Sequence, residues 1–300
     1  MKRDFLRLWD LSEEEIYAII QRAIELKKGV DPGNCPLIGR SVGLIFEKPS
    51  TRTRISFEVG IYQLGGQPIY MTPQEIQLGR GETISDTARV LSRYLSGVVI
   101  RTFAHRTLEE FASNAGIPVI NGLSDLHHPC QALADLMTIQ EKKGRIRGLK
   151  IAYIGDGNNV ANSLIDASGR LGCTIMIACP EGYEPDPGVL EDARSGKGEI
   201  VVLPNPGEAA GMADVIYADV WVSMGQEAET EKKRQRFQPY QVNSTLLGCA
   251  KSDAIVMHCL PAHRGEEITD EVIDGPQSVV FDQAENRLHT QKALLEFLLK

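Results

Sequence analysis

The amino-acid sequence predicts an α/β protein of two doubly wound domains, each with a mainly parallel sheet flanked by helices, and a C-terminal helix that closes the chain. Short apolar runs alternate with amphipathic segments, and a basic, glycine-punctuated stretch at 142–150 separates two such series. Three hundred residues are enough for two domains. We therefore place the first domain at 1–145 and the second at 146–300, with the closing helix, about 286–300, packed back on the first.

The composition is that of an ordinary globular protein, with 42% hydrophobic and 24% charged residues. A net charge of −8 without a long basic block argues against nucleic acid as a partner. Six cysteines form no C-x-x-C pair, the N-terminus has no apolar leader, and no apolar run approaches the ~18 residues of a membrane span. These features predict a soluble, cytoplasmic protein with reduced thiols and no membrane partner.

The first domain begins with a scaffold helix and continues as alternating strands and helices. Ser12 and Glu15 form a capping box, and Gly29 ends the first helix. Polar, glycine-bearing residues at 72–83 predict a mobile loop. Pro129 suits the first position of a helix, where its missing N–H costs nothing. The predicted strands are 41–46, 67–71, 97–101 and 117–121, and the later helices are 50–64, 84–94, 107–115 and 129–143.

The second domain repeats this alternation, which implies a parallel sheet with crossover helices. Gly172 ends a helix at 160–171, and leucines recur at helical spacing in the closing helix. The charge-dense run 227–236 is typical of a solvated helix face. The predicted strands are 151–154, 173–178, 200–203, 214–217, 254–258 and 278–281.

The break between the first strand and the next helix has the layout of an anion site. A helix start leaves backbone N–H groups unpaired, and Ser50, Thr51, Arg52 and Thr53 add hydroxyl and guanidinium donors at the same point. The alternative is a capped surface helix whose arginines lie in solvent. Two cations, Arg52 and Arg54, are disfavoured in a first helical turn unless an anion sits with them, so the pattern favours an anion site.

Nucleotide cofactors fit the sequence poorly. Gly155 and Gly157 follow a strand and precede a helix, but the dinucleotide fingerprint needs a third small residue where Val160 stands. The chain also contains no G-x-x-x-x-G-K-[S/T] phosphate loop. The Gly-Asp-Gly-Asn-Asn loop at 155–159 instead offers amide side chains at a strand's carboxyl end, where open α/β sheets bind small ligands.

The residues at 258–263 include metal-ligand and nucleophile types, two histidines and a cysteine. His258, Cys259 and His263 match no zinc spacing, and Pro261 prevents the two histidines from sharing a helix face, so we predict no metal. Adjacent strand residues point to opposite faces, which leaves His258 badly placed to deprotonate Cys259. A hydrogen-bonding role for Cys259 is therefore favoured over a covalent one.

Several polar residues lie where predicted strands end and loops or helices begin. Arg101 ends a strand, His128 and Gln131 lie at a helix start, and Asp219 follows a strand. Carboxyl ends of parallel strands meet at one sheet edge, so these positions are those expected of a ligand crevice between two α/β domains.

Four motifs give the sequence a resemblance to a known family. They are Ser-Thr-Arg-Thr-Arg at 50–54, His-Pro-Cys-Gln at 128–131, Asp-Val-Trp-Val-Ser-Met-Gly at 219–225 and His-Cys-Leu-Pro at 258–261. With them the chain resembles the aspartate/ornithine carbamoyltransferase family over nearly its whole length. The first two are similar to the shared carbamoyl-phosphate signature, and Ser-Met-Gly and His-Cys-Leu-Pro resemble the ornithine branch.

The resemblance implies carbamoyl transfer from carbamoyl phosphate to the δ-amine of L-ornithine, without metal or organic cofactor. It implies that Arg52, Arg101, His128 and Cys259 are the catalytic residues. The carbamoyl phosphate ligands implied by the family are Ser50, Thr51, Arg52, Thr53, Gln77, Arg101, His128, Gln131, Cys259, Leu260 and Arg287. The implied ornithine ligands are Asn159, Asp219, Ser223 and Met224.

Family resemblance further implies a homotrimer with sites at subunit interfaces, in which Gln77 reaches a neighbouring subunit's site. The alternative for Gln77 is a plain loop residue. Other acceptors remain open at this point, namely putrescine, N-acetylornithine and aspartate. A carboxylate at Asp219 suits a free α-ammonium, which putrescine lacks and acetylation removes. A non-catalytic anion-binding subunit on the same scaffold is the alternative from another class.

Overall fold

The computed structural model describes residues 2–30, 33–72, 81–222 and 230–299. The chain divides into two compact units, Met1–Met137 with Glu285–Lys300, and Thr138–Ala284. The division falls inside the helix Pro129–Lys143, eight residues before the boundary expected after 145. The predicted loop at 72–83 lies mostly outside the described residues.

The first unit contains a four-stranded parallel sheet in the order β2-β1-β3-β4. Its central strands are buried on both faces, as expected when helices cover a parallel sheet. The strands are β1 (Ser41–Phe46), β2 (Gln67–Met71), β3 (Gly97–Arg101) and β4 (Val119–Leu123). The helices are α1 (Glu13–Lys27), α2 (Thr51–Gln63), α3 (Ile84–Leu91), α4 (His105–Asn114) and α5 (Pro129–Lys143), which continues into the second unit.

The second unit contains a five-stranded parallel sheet in the order β7-β6-β5-β8-β9. Its strands are β5 (Lys150–Ile154), β6 (Thr174–Ala178), β7 (Glu199–Leu203), β8 (Val215–Ala218) and β9 (Ile255–His258). Its helices are α6 (Asn159–Leu171), α7 (Pro187–Arg194), α8 (Pro206–Ala210), α9 (Thr230–Phe237), α10 (Ser244–Leu247) and α11 (Asp270–Ile273). The last helix, α12 (Val280–Leu299), begins here and ends in the first unit.

The predicted helix ends follow from their capping residues. Ser12 accepts the N–H of Glu15, whose side chain accepts the N–H of Ser12, so the capping box is present. Gly172 ends α6 in the left-handed region, with φ 76°, which glycine adopts without a Cβ penalty. Among the described residues, no helix combines the length and the apolar character that crossing a membrane requires.

The predicted strand at 278–281 is wrong. Ser278 makes a single bridge to Val256, and α12 starts two residues later at Val280, six residues before the expected start of the closing helix. A short apolar run reads equally well as a buried strand or as the first turn of a buried helix, because periodicity alone does not separate them.

Candidate active site

The N-terminus of α2 carries the donors expected of an anion site. Ser50 caps the helix by accepting the N–H of Thr53 at 3.2 Å. Arg54 is held elsewhere, since its Nε lies 3.0 Å from Glu58 Oε1 and its guanidinium stacks on Tyr70 at 3.6 Å. Arg52, by contrast, makes no side-chain hydrogen bond or ion pair to any residue the structure describes. Only one of the two arginines is therefore available to an anion.

A buried hydrogen-bond chain links α2, α5 and α12 within the first unit. Arg287 donates from Nη2 to Thr53 Oγ1 at 3.0 Å and from Nη1 to Gln131 Oε1 at 2.6 Å. Gln131 in turn donates from Nε2 to Asp135 Oδ1 at 2.8 Å. Because the Arg287 guanidinium can only donate, the oxygen of the Gln131 amide must face Arg287 and its NH₂ group must face Asp135. Three of the predicted carbamoyl phosphate ligands are thus brought together.

Two further predicted ligands lie near Arg287. Arg101 is the last residue of β3, paired in register with Phe46, the last residue of β1. Burial lowers the pKa of His128 well below its usual range, and the positive charges of Arg287 and Arg101 lower that pKa further. His128 is therefore a neutral imidazole at pH 7 beside two guanidinium groups. Such a cluster favours an anion and can donate a hydrogen bond to a carbonyl oxygen.

In the second unit, strand register brings Asp219 and Cys259 together. Ala218, the last residue of β8, pairs with His258, the last residue of β9. Asp219 follows Ala218 and Cys259 follows His258, so these two residues lie side by side. The Cys259 thiol donates to Asp219 Oδ1 at 2.9 Å. A neutral thiol held by a carboxylate is a hydrogen-bonding group rather than an activated thiolate.

Four donor groups lie within hydrogen-bonding distance of the Asp219 carboxylate, which is 1% exposed, and one of them, the Tyr153 hydroxyl, also lies 3.2 Å from Asn158 Oδ1. Oδ1 accepts from Cys259 and from the Val220 N–H at 2.8 Å, while Oδ2 accepts from Asn158 Nδ2 at 2.7 Å and the Tyr153 hydroxyl at 3.3 Å. A carboxylate has about four lone-pair sites. A cation that binds Asp219 must therefore replace one of these four donors.

The glycine loop before α6 is shaped by its own backbone contacts. A Cβ at Gly157 would lie 2.3 Å from Pro185 N, so only glycine fits there. Asn158 caps α6 by accepting the N–H groups of Val160 and Ala161. Asn159, the predicted carboxylate ligand, is the first residue of that helix and is half-buried. Its position at a helix start suits a carboxylate.

The His-Cys-Leu-Pro segment is a turn held by His258. The Leu260 N–H donates to His258 Nδ1 at 2.9 Å, and Nε2 lies 3.0 Å from Glu267 Oε1. With both ring nitrogens engaged, His258 has no lone pair for a metal and no free nitrogen to deprotonate Cys259. A different trio, His263, Glu266 and Glu267, has ligand atoms within 4.8 Å of one another. Arg234 already pairs with Glu266 at 2.7 Å.

One charged residue of the run 227–236 is not solvated as expected. Lys233, on α9, is 3% exposed, and its Nζ lies 2.6 Å from Asp156 Oδ2. Burial raises the pKa of Asp156, and the Lys233 charge opposes that shift. A charge-dense sequence run does not reveal that Lys233 is buried, because its partner Asp156 is 77 residues away.

Three predicted ligands, Gln77, Ser223 and Met224, lie outside the described residues. The structure adds three buried polar residues that the sequence interpretation missed, namely Asp135, Tyr153 and Glu267. It also gives half-buried Asn158, from the predicted loop at 155–159, a bond to Asp219. Asp135 follows Gln131 by four residues on one helix, a pairing that sequence spacing could have suggested. Asn158 has the residue type and position of a helix cap. Tyr153 and Glu267 have no local signal.

Comparison with known proteins places both units in one family. Two sequence profiles of aspartate/ornithine carbamoyltransferases match, that of the carbamoyl-P binding domain over residues 3–141 and that of the Asp/Orn binding domain over residues 147–298. The chain is 57% identical to ornithine carbamoyltransferase of Syntrophus aciditrophicus, with 100% of both chains covered. It is 54% identical to the solved ornithine carbamoyltransferase of Pyrococcus furiosus, covering 99% of this chain and 97% of that one, with a TM-score of 0.95.

Proposed function

The chain belongs to the aspartate/ornithine carbamoyltransferase family, and on that premise we propose that it transfers the carbamoyl group of carbamoyl phosphate to the δ-amine of L-ornithine. The products are L-citrulline and phosphate. The observation that carries this assignment is full-length similarity, at 54–57% identity, to relatives named ornithine carbamoyltransferase. The acceptors putrescine, N-acetylornithine and aspartate, and a non-catalytic role, are not favoured by these relatives.

The first unit supplies the carbamoyl phosphate site in this proposal. Ser50, Thr51, Arg52 and Thr53 hold the phosphate at the N-terminus of α2, where N–H groups and the helix dipole favour an anion. The phosphate gains negative charge as it leaves, so the Arg52 guanidinium stabilises the transition state more than the ground state. The Arg52 guanidinium bonds to none of the residues that the structure describes, which supports this role.

Arg101 and His128 act on the carbonyl oxygen. The δ-amine attacks the carbonyl carbon, the oxygen becomes an oxyanion, and the C–O bond to phosphate then breaks while the departing phosphate takes the proton that the amine loses. Fixed donors aimed at the oxyanion lower the barrier to this intermediate. Burial lowers the pKa of His128, so the ring is neutral and donates its one N–H as a hydrogen bond to the oxyanion. Arg287 and Gln131 complete the carbamoyl phosphate ligands, and the chemistry needs no cofactor.

The second unit supplies the ornithine site. Asn159 binds the α-carboxylate, Asp219 with Ser223 and Met224 binds the α-ammonium, and Cys259 meets the δ-amine. The δ-amine must be neutral to attack, and a thiol beside it does not stabilise the ammonium as a carboxylate would. Cys259 and Leu260 are also proposed to contact carbamoyl phosphate. Since Asp219 is fully hydrogen-bonded, ornithine takes the place of one of its present donors.

The proposal also covers the oligomeric state, the cellular location and the pathway. We assign a homotrimer in which Gln77 reaches a neighbouring subunit's site, a cytoplasmic location and a place in arginine biosynthesis. Light scattering on the purified protein tests the first of these, since the chain mass is 33.0 kDa and a trimer has three times that mass.

A panel of amines tests the substrate. Purified protein with carbamoyl phosphate and ornithine, putrescine, N-acetylornithine or aspartate is followed by colorimetric detection of the ureido product. We expect ornithine to be preferred over putrescine and N-acetylornithine by at least about 1000-fold in kcat/KM, since rejecting a substrate that leaves Asp219 without its cation costs several kcal/mol. Aspartate keeps the α-ammonium but has no δ-amine to attack, so it should give no product. A larger kcat/KM for any other amine would replace the assignment.

A further inference from the structure

The ring of His258 is held in one tautomer by two buried partners. A nitrogen that accepts the Leu260 N–H carries no proton itself, so the ring proton lies on Nε2. That proton is donated to Glu267 Oε1, 3.0 Å away. Both side chains are fully buried. The carboxylate of Glu267 therefore selects the tautomer whose Nδ1 is an acceptor.

Leu260, whose N–H bonds to His258, has an unusual backbone conformation. Leu260 has φ 55°, in the left-handed region that a branched side chain rarely adopts. Its N–H bond to His258 Nδ1 closes a turn within three residues, and that turn contains Cys259. The direction of the Cys259 thiol toward Asp219, and of the Leu260 peptide, thus depends on the His258 ring.

Surrounding hydrogen bonds fix the ring and its partner in place. Glu267 Oε1 also accepts the His263 N–H at 2.6 Å. The backbone N–H of His258 donates to Gln283 Oε1 at 2.9 Å. Gln283 Nε2 lies 3.1 Å from the Tyr217 hydroxyl. Preorganised supports of this kind keep reacting groups in position, whereas a residue that moved protons would need an open nitrogen.

We propose that His258 is a positioning residue, a neutral imidazole oriented by Glu267 that holds the Cys259–Leu260 turn in its reactive geometry. This inference rests on the proposed carbamoyl transfer, in which Cys259 and Leu260 contact the substrates. His258 itself touches no substrate. Its contribution is the acceptor at Nδ1, and the contribution of Glu267 is the choice of tautomer.

Two substitutions separate the two nitrogens. In His258→Asn, the side-chain oxygen lies near the position of Nδ1 and keeps an acceptor for the Leu260 N–H. In His258→Gln, the amide reaches the position of Nε2 and keeps the bond to Glu267, but it loses the acceptor. We expect kcat to fall about 100-fold in His258→Gln, as for a misplacement of about 1 Å, and less than tenfold in His258→Asn. Equal losses in the two variants would overturn the proposal.

Glu267 provides a second pair of variants in case His258→Gln does not fold. Glu267→Gln keeps an oxygen that can accept the Nε2 proton, so kcat should stay within about threefold of the parent protein. Glu267→Ala removes the acceptor and should reduce kcat about as much as His258→Gln. A Glu267→Gln variant as inactive as Glu267→Ala would show that charge, rather than tautomer selection, matters. That result would contradict the proposal.

Ring nitrogen chemical shifts test the tautomer without any assay of activity. Histidine is labelled with ¹⁵N, and the His258 signals are identified by their loss in His258→Asn. We expect a protonated Nε2 and an unprotonated Nδ1 at pH 7, whereas a proton on Nδ1 would refute the inference. If the parent protein made no citrulline, the proposed function would fail while this spectrum still decided the state of His258.

Discussion

Replacing Asp219 by asparagine removes one charge and almost no volume from the second unit. Each oxygen of the Asp219 carboxylate faces two donor groups. In either orientation of the asparagine amide, its NH₂ group therefore points at two groups that donated to the carboxylate. A cysteine sulfur or a tyrosine hydroxyl can reverse its role and accept, but the Val220 N–H and the Asn158 NH₂ cannot. One buried donor is therefore left without an acceptor.

The size of the effect follows from these contacts. A buried donor without a partner costs about 1–3 kcal/mol, and the surviving bonds lose the extra strength that a charged acceptor gives. We expect a loss of about 3 kcal/mol in unfolding free energy, which lowers the thermal midpoint by roughly 6–12 °C. Loss of the counter-charge for the α-ammonium costs a further ~2–4 kcal/mol of binding, or roughly 30- to 1000-fold in Kd.

Calorimetry separates the two substrates. Norvaline has the α-ammonium but no δ-amine, so its Kd in Asp219→Asn should rise as that of ornithine does, while the Kd of carbamoyl phosphate stays within about threefold. Tyr153→Phe is the control, because it keeps the Asp219 charge and removes only a hydroxyl that lies 3.3 Å from Asp219 Oδ2 and 3.2 Å from Asn158 Oδ1, which should cost about 1 kcal/mol. Equal weakening of carbamoyl phosphate and ornithine, or unchanged norvaline binding, would refute the role given to Asp219.

Three further predictions concern single side chains. Arg52→Ala should lower kcat/KM by at least about 100-fold, a loss of ~3 kcal/mol. Arg54→Ala is the control and should stay within about threefold, because it breaks only exposed contacts. Similar losses in the two variants would contradict the phosphate site. Cys259→Ser should keep measurable activity with weaker ornithine binding, and mass spectrometry should find no carbamoyl adduct on Cys259 that passes to ornithine. Burial lowers the pKa of His127 to about 3 in the folded protein, against about 6.5 in the unfolded chain. The contribution of His127 to the unfolding free energy should therefore be fully present above pH 6.5. It should fall by up to ~1.4 kcal/mol per pH unit toward pH 3, because the unfolded chain then binds the proton. Thermal midpoints that are flat from pH 7 to 5, or a His127→Gln variant with the same acid loss, would contradict this account.

Local patterns predicted most elements because the physical causes were local. The strands Ser41–Phe46, Gln67–Met71 and Gly97–Arg101 have the predicted bounds, since each is a short apolar run between polar breaks. Ser50 and Gly172 cap helices as their residue types suggested. The run that became the start of α12 failed because a buried strand and a buried helical turn look alike over four residues.

The remaining features depend on contacts between distant segments. Lys233 is buried because Asp156 meets it across the second unit, and no pattern near Lys233 indicates that pairing. Tyr153 reaches Asp219 through the register of β5 and β8, and Glu267 reaches His258 from the segment between β9 and α11. Arg54 also shows a limit of local reasoning, since the Glu58 carboxylate and the Tyr70 ring compensate this cation in the first turn of α2, so its presence there does not require an anionic ligand.

The transferred carbon itself tests the central claim. Purified protein is given ¹³C-labelled carbamoyl phosphate and L-ornithine, and ¹³C spectra are recorded while phosphate release is measured. The proposed function predicts that the label appears in the δ-ureido carbon of citrulline, with one equivalent of phosphate released for each citrulline formed. Label on the α-amine, or phosphate release without a labelled ureido product, would contradict carbamoyl transfer to the δ-amine.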